Sequence, residues 1–196
     1  MPESSGGSKK EQIMEAALAI FSVKGFHLAK IEEIAQQAGV GKGTVYEYFC
    51  SKEALFKEIL KEGALTFDQL IAAELGKAKT TQEKLEGIIR QSVIMWQRFH
   101  PLAKTTMMET AFLDSPFHAW LMEKHYQRLF LIRDIIEEGM QKQELRSING
   151  LHFAYLFYGG LAGMAGFYVE EDFTEDQLEL LIEKTLDYYL KGIAQK

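Results

Sequence analysis

The sequence predicts an all-α protein, and three observations carry that prediction. Apolar residues recur at spacings of three and four along most of the 196-residue chain. No stretch rich in Val, Ile and Thr alternates with period two, and the only prolines are Pro2, Pro101 and Pro116. In order, residues 1–8 have little to bury and read as a flexible tail. A first helix runs from Lys9 to Val23, with Ile13, Ala16, Ala17, Ile20 and Phe21 on one face and Gly25 as its stop. Two short helices follow, Ile31–Ala38 and Lys42–Phe49, with Gly39 and Gly41 bracketing Val40 in a tight turn. Ser51 caps a longer helix to about Leu75. Thr80 and Glu83 have the spacing of a capping box for a helix to Phe99. Pro101 suits the first turn of a short helix to Ala111, and Ser115–Pro116 opens a long one to Lys142. After Gln143–Asn149 a helix runs to Tyr168, and Thr174 with Gln177 caps the last, to Ile193. The expectation is nine helices.

Composition narrows the function. Apolar residues at 47% and charged residues at 26% are those of a globular chain. A net charge of −6 argues against a polybasic coat for nucleic acid or membrane. The charge is uneven: residues 1–62 hold eight lysines and nine acids, leaving a net −5 for the remainder. One cysteine, Cys50, excludes an intramolecular disulfide and a Cys-rich metal site. The opening MPESSGGSKK has no apolar run and no segment approaches the roughly 18–20 apolar residues of a membrane span, so a cytoplasmic setting is expected.

The stretch IEEIAQQAGVGKGTVYEYF, residues 31–49, has the form of a helix-turn-helix, whose second helix enters the DNA major groove. Val45 and Phe49 fall on one face of that helix. Thr44 and Tyr48 fall on another, with Lys42, Gly43, Tyr46 and Glu47 beside them. Tyr and Thr donate and accept at base edges and phosphates, and Lys42 reaches a phosphate or guanine. Any two-helix corner of an all-α protein shares the spacing; two aromatics on a solvent face are what favour DNA.

The run Ile13–Phe56 resembles the amino-terminal domain of the tetracycline-repressor (TetR) family of transcriptional regulators. AALAIF at 16–21, GF at 25–26, IEEIAQQAGV at 31–40, KGTVYEYF at 42–49 and SKEALF at 51–56 carry the resemblance. It implies a two-domain homodimer: residues 9–52 as a three-helix DNA-binding head and residues 53–196 as an effector-binding and dimerisation body. It implies DNA contacts at Tyr46 and Tyr48, at Lys42, Gly43 and Thr44, and from Lys52 to a phosphate, with Lys9 and Lys10 as a basic arm. Three departures stand out. Lys30 replaces the usual Thr or Ser cap, leaving either a solvated lysine or a DNA-backbone contact. Gly41 replaces a Ser. Glu47 is an acid on the DNA-facing helix, read as off the groove in preference to accepting from a cytosine.

The body has no catalytic signature, so an enzyme is not expected, nor a cofactor or metal. Its Met and aromatic residues mostly form core; Trp96, Met107, Phe112, His125 and Tyr126 are the candidates for an apolar effector pocket. His118 and His125 share a helix face without a third ligand, and Cys50 reads as a plain variable residue rather than a redox switch. Glycines inside the helix at 158–168 imply close approach, and the last helix is amphipathic. With the resemblance, these make Gly159, Gly163, Gly166, Leu178, Ile182 and Tyr189 the expected dimer face. The resulting expectation is a repressor released from its double-stranded operator by a small apolar or amphipathic effector. A DNA-binding architectural protein without an effector, and an enzyme using His118 or His125, are the rival readings.

Overall fold

A computed structural model describes residues 8–109, 114–167 and 174–192, without the side chains of 100–109 and 165–167. Eight helices and no strand occur among the described residues: α1 Lys9–Leu28, α2 Ile31–Gln37, α3 Lys42–Tyr48, α4 Lys52–Lys77, α5 Thr81–Glu109, α6 Ser115–Gln141, α7 Gly150–Phe167 and α8 Glu175–Lys191. The count is one below expectation because α5 continues through Pro101. Proline lacks an N–H, so the rung to the carbonyl four residues earlier is missing, but its fixed φ of about −65° is itself helical. Packing divides the chain into two units. One comprises the residues up to Ala64 with Pro101–Phe117; the other comprises Leu65–His100 and the residues from His118 onward.

In the first unit, Ser8 and Glu11 form a capping box that starts α1. Gly25, at φ 74° and ψ 167°, breaks the helix where the sequence stops it, and a further turn follows to Leu28. Ile13, Ala17 and Phe21 are fully buried, as are Leu55 and Phe56 of α4. Phe21, Phe26 and Phe56 form one aromatic cluster with ring centroids 5.1–5.8 Å apart. Burial of each ring contributes roughly 1.5–3 kcal/mol. Ser51 caps α4 by accepting from the Ala54 N–H at 3.0 Å. The cap of α6 is Asp114 rather than the expected Ser115: Asp114 Oδ1 accepts from the Phe117 N–H at 2.9 Å and Oδ2 pairs with Lys57 at 2.6 Å. A carboxylate there is also attracted to the positive end of the helix dipole.

The second unit is a helical core. Leu85, Ile89 and Val93 of α5 meet Leu129, Ile132 and Ile136 of α6, Phe157 of α7, and Leu178, Ile182 and Leu186 of α8. Polar clamps surround it. Glu144 accepts from the Thr81 N–H at 2.6 Å, Glu138 lies 2.6 Å from both Lys84 and Lys142, and Asp68 accepts from Lys124 and Arg128 at 3.0 and 2.9 Å. No described helix is long and apolar enough to cross a membrane.

Candidate nucleic-acid interface

The turn between α2 and α3 is a complete helix stop. The Gly39 N–H donates to the Gln36 carbonyl and the Val40 N–H to the Ala35 carbonyl, at 3.2 and 3.0 Å, with Gly39 at φ 68°. This is the Schellman arrangement, and its left-handed residue favours glycine. The chain therefore reverses within three residues and starts α3 at a new angle.

Helix α3 has only seven residues and is held by burial. Val45 is 0% and Phe49 5% exposed, so these two fix which side faces out. Tyr46 and Tyr48 are each 46% exposed, Lys42, Gly43 and Glu47 are exposed, and Thr44 is half-buried. A Cβ placed on Gly43 would meet nothing within 4 Å, so the backbone there is open to close approach. Lys42 Nζ lies 2.6 Å from Glu32 of α2 and 5.8 Å from the centre of the Tyr46 ring. Hydrogen bonding to Glu32 raises the Lys42 pKa, and the same bond lowers that of Glu32. Both groups are solvated, so this ion pair is weak and exchangeable for a phosphate.

Lys30 precedes α2, is exposed and makes no side-chain cap; Glu32 and Glu33 in the first turn supply the favourable charge instead. Lys52, expected to reach a phosphate, is held against backbone carbonyls in the DNA-free protein. Its Nζ donates to the carbonyls of Phe26, His27 and Ala29 at 2.7, 3.2 and 2.9 Å. No sequence signal marks this, because the acceptors lie more than twenty residues away and are backbone. Lys10 pairs with Glu58 at 2.6 Å, while Lys9 stays exposed. Cys50 is exposed.

In the body the expected sites divide. Trp96 is half-buried against the second unit's core. His125 is half-buried, its ring 5.1 Å from Tyr158 and 5.7 Å from Tyr126. Tyr126 is 46% exposed and stacked on Phe130. The Met107 side chain and Phe112 lie outside the described residues. His118 is exposed, and no group of three metal-capable side chains occurs among the described residues.

The residues expected at the dimer face differ in exposure. Leu178 and Ile182 are 6% and 3% exposed within their own protomer, leaving almost no area for a second chain to cover. Tyr189 is half-buried and donates to the Leu156 carbonyl at 3.0 Å. The close-approach glycine is Gly160, where a Cβ would overlap the Tyr189 hydroxyl; Gly159 and Gly163 face open space, and the surroundings of Gly166 lie outside the described residues. Tyr155, Leu156, Leu180 and Tyr188 are exposed at 51–60% instead.

Residues 13–59 match the family model for bacterial regulatory proteins, tetR family. An uncharacterized HTH-type transcriptional regulator, YvdT of Bacillus subtilis, is 31% identical over 173 residues, covering 82% of this chain and 87% of that protein. The chain belongs to the TetR family. The fatty acid metabolism regulator protein of B. subtilis is similar along nearly the whole length of this TetR-family chain, 27% identical over 96% of it and 97% of the relative. The crystal structure of the transcriptional regulator FadR from B. subtilis in complex with stearoyl-CoA superposes with a TM-score of 0.77 at 25% identity, over 94% of this chain and 99% of that one. This TetR-family protein is thus a DNA-binding transcriptional regulator and not an enzyme.

Proposed function

We propose that this regulator is a cytoplasmic, homodimeric repressor that two copies of α3 hold on a pseudo-palindromic operator, and that an amphipathic acyl-CoA thioester releases it. The observation carrying the DNA half is the exposed face of α3, where Tyr46 and Tyr48 stand beside Lys42 and Thr44 on a helix anchored by Val45. Side chains of this kind suit the donor and acceptor pattern of the major groove. The effector half is supported by the near full-length likeness to a fatty acid metabolism regulator and to a structure holding stearoyl-CoA. A ligand that binds one conformation better than the DNA-competent one lowers DNA affinity by that difference alone.

For the dimer, the surface on offer is the outward side of α7 and α8, with Tyr155, Leu156, Gly159, Gly163 and Tyr188. Two open glycines one helical turn apart let another helix approach closely.

The test is a fluorescence-anisotropy titration of a duplex selected by the protein from random-sequence DNA, repeated with stearoyl-CoA, free stearate and CoA. Release by stearoyl-CoA alone, with a rise in melting temperature of the protein, is expected. DNA binding that ignores all three, at many unrelated sites, would instead mark an architectural protein.

A further inference from the structure

We infer that Gln91 of α5 determines specificity for the acyl effector, its side-chain amide donating a hydrogen bond to the thioester carbonyl oxygen. Four polar side chains are buried among the described residues: Thr81, Gln91, Ser92 and Thr185. Three of them have partners. The Thr81 hydroxyl donates to Glu144, and the hydroxyls of Ser92 and Thr185 donate at 2.7 Å to the carbonyls of Ile88 and Leu181. Gln91 is only 7% exposed, and among the described residues no hydrogen bond engages its amide. A buried amide left unpaired costs free energy that a partner would return. The group is also reachable. Glu33 Oε2 is the one side-chain atom among the described residues that is both sealed from water and unpartnered, so the unpartnered Gln91 amide borders accessible space.

The surroundings define the ligand group. Gln91 shares a face of α5 with Ile88, one turn before it, and Met95, one turn after it. Ile88, Ile89 and Val93 are at most 4% exposed and belong to the second unit's apolar core, against which Trp96 also packs. The charged neighbour Arg90 is committed to α8, where it pairs with Glu175 and Glu179 at 3.3 and 2.6 Å. Gln91 therefore offers one neutral donor within an apolar stretch. A carbonyl on a long apolar chain matches that arrangement, whereas a carboxylate or phosphate is better served by a cation.

This inference rests on the effector being an acyl-CoA thioester. The experiment titrates the full chain by calorimetry with stearoyl-CoA and with S-octadecyl-CoA, the thioether that has a methylene in place of the carbonyl. The wild type and Gln91→Leu are compared. The wild type is expected to bind the thioester about tenfold more tightly, because one compound satisfies the amide and the other strands it. Gln91→Leu, with no donor, is expected to bind the two compounds alike. A merely structural glutamine would change both affinities together and leave their ratio as it was. Equal binding of the two compounds by the wild type, or a preference that survives in Gln91→Leu, overturns the inference. Should the variant not fold, nitrogen-15 NMR of the wild-type Gln91 side-chain amide decides. A shift with stearoyl-CoA and none with the thioether is expected, and the same response to both overturns it. A wild type that binds neither compound overturns the acyl-CoA reading as well, whereas equal binding of the two overturns only this one.

Discussion

The head and the body both leave aromatic side chains in solvent, but in different company. On α3, Tyr46 and Tyr48 stand among Lys42, Thr44 and an open Gly43. On α7 and α8, Tyr155 and Tyr188 stand among Leu156, Gly159 and Gly163, with Phe153, Phe157 and Tyr189 locked together beneath, their rings 5.0–5.8 Å apart. The first surface has hydrogen-bonding groups on a short helix; the second exposes apolar side chains and open glycines. Exposure alone does not identify a partner. What surrounds the exposed ring does: hydrogen-bonding groups suit a polar duplex, and apolar neighbours suit the second copy of the chain proposed above.

The largest expected effect is in the head. Replacing Tyr46 and Tyr48 together with Ala should weaken binding to the selected duplex by at least about 30-fold, since each specific contact is worth roughly 1–3 kcal/mol. The oligomeric state, read by light scattering, should not change. The converse experiment is Leu156→Glu with Tyr188→Glu, which places like charges on the apolar face. A shift from dimer to monomer in sedimentation is expected, with far-ultraviolet dichroism retained. A variant that stays dimeric contradicts the assignment of that face.

Glycines sharpen the contrast further. Gly43→Ala removes an unfavourable helix glycine, so the free protein should gain about 0.5–1 kcal/mol in denaturant unfolding, yet DNA binding should fall where the backbone approaches. Gly160→Ala, by contrast, should lower the melting temperature, because the new Cβ overlaps the Tyr189 hydroxyl.

A smaller effect is expected from pH. Hydrogen bonds from Lys142 and Lys84 hold the Glu138 carboxyl at about 2, down from its ordinary 4.5. A depressed carboxylate stabilises the fold fully above its unfolded value, and that contribution disappears as pH falls from about 4.5 towards 2. Acid unfolding of Glu138→Gln should therefore depend less steeply on pH across that window. Because the group is solvated, the change should be small.

Much of the fold is legible in the sequence because helix starts and stops are local. Thr174 with Gln177, Thr80 with Glu83, and Ser51 all cap as their spacing requires, and Gly25 and Gly39 take the left-handed conformations that stop helices. The recognition helix is legible for the same reason, since the burial of Val45 follows from its spacing to Phe49. Where a partner is distant, the sequence is silent. The stripe Leu178–Ile182 marks an apolar face but not which neighbour covers it, and that neighbour is the protomer's own core. Lys52 shows its charge but not the three carbonyls that hold it. Pro101 fits a helix start as well as an interior position, and only the tertiary structure separates the two.

The central claim is that α3 reads DNA through the major groove. Methylation interference on the selected duplex tests it most directly, because dimethyl sulfate modifies guanine N7 in the major groove and adenine N3 in the minor groove. The account predicts interference at guanines in two segments about one helical turn, roughly 34 Å, or a multiple of it apart. Interference confined to minor-groove adenines, or to a single segment, would contradict it.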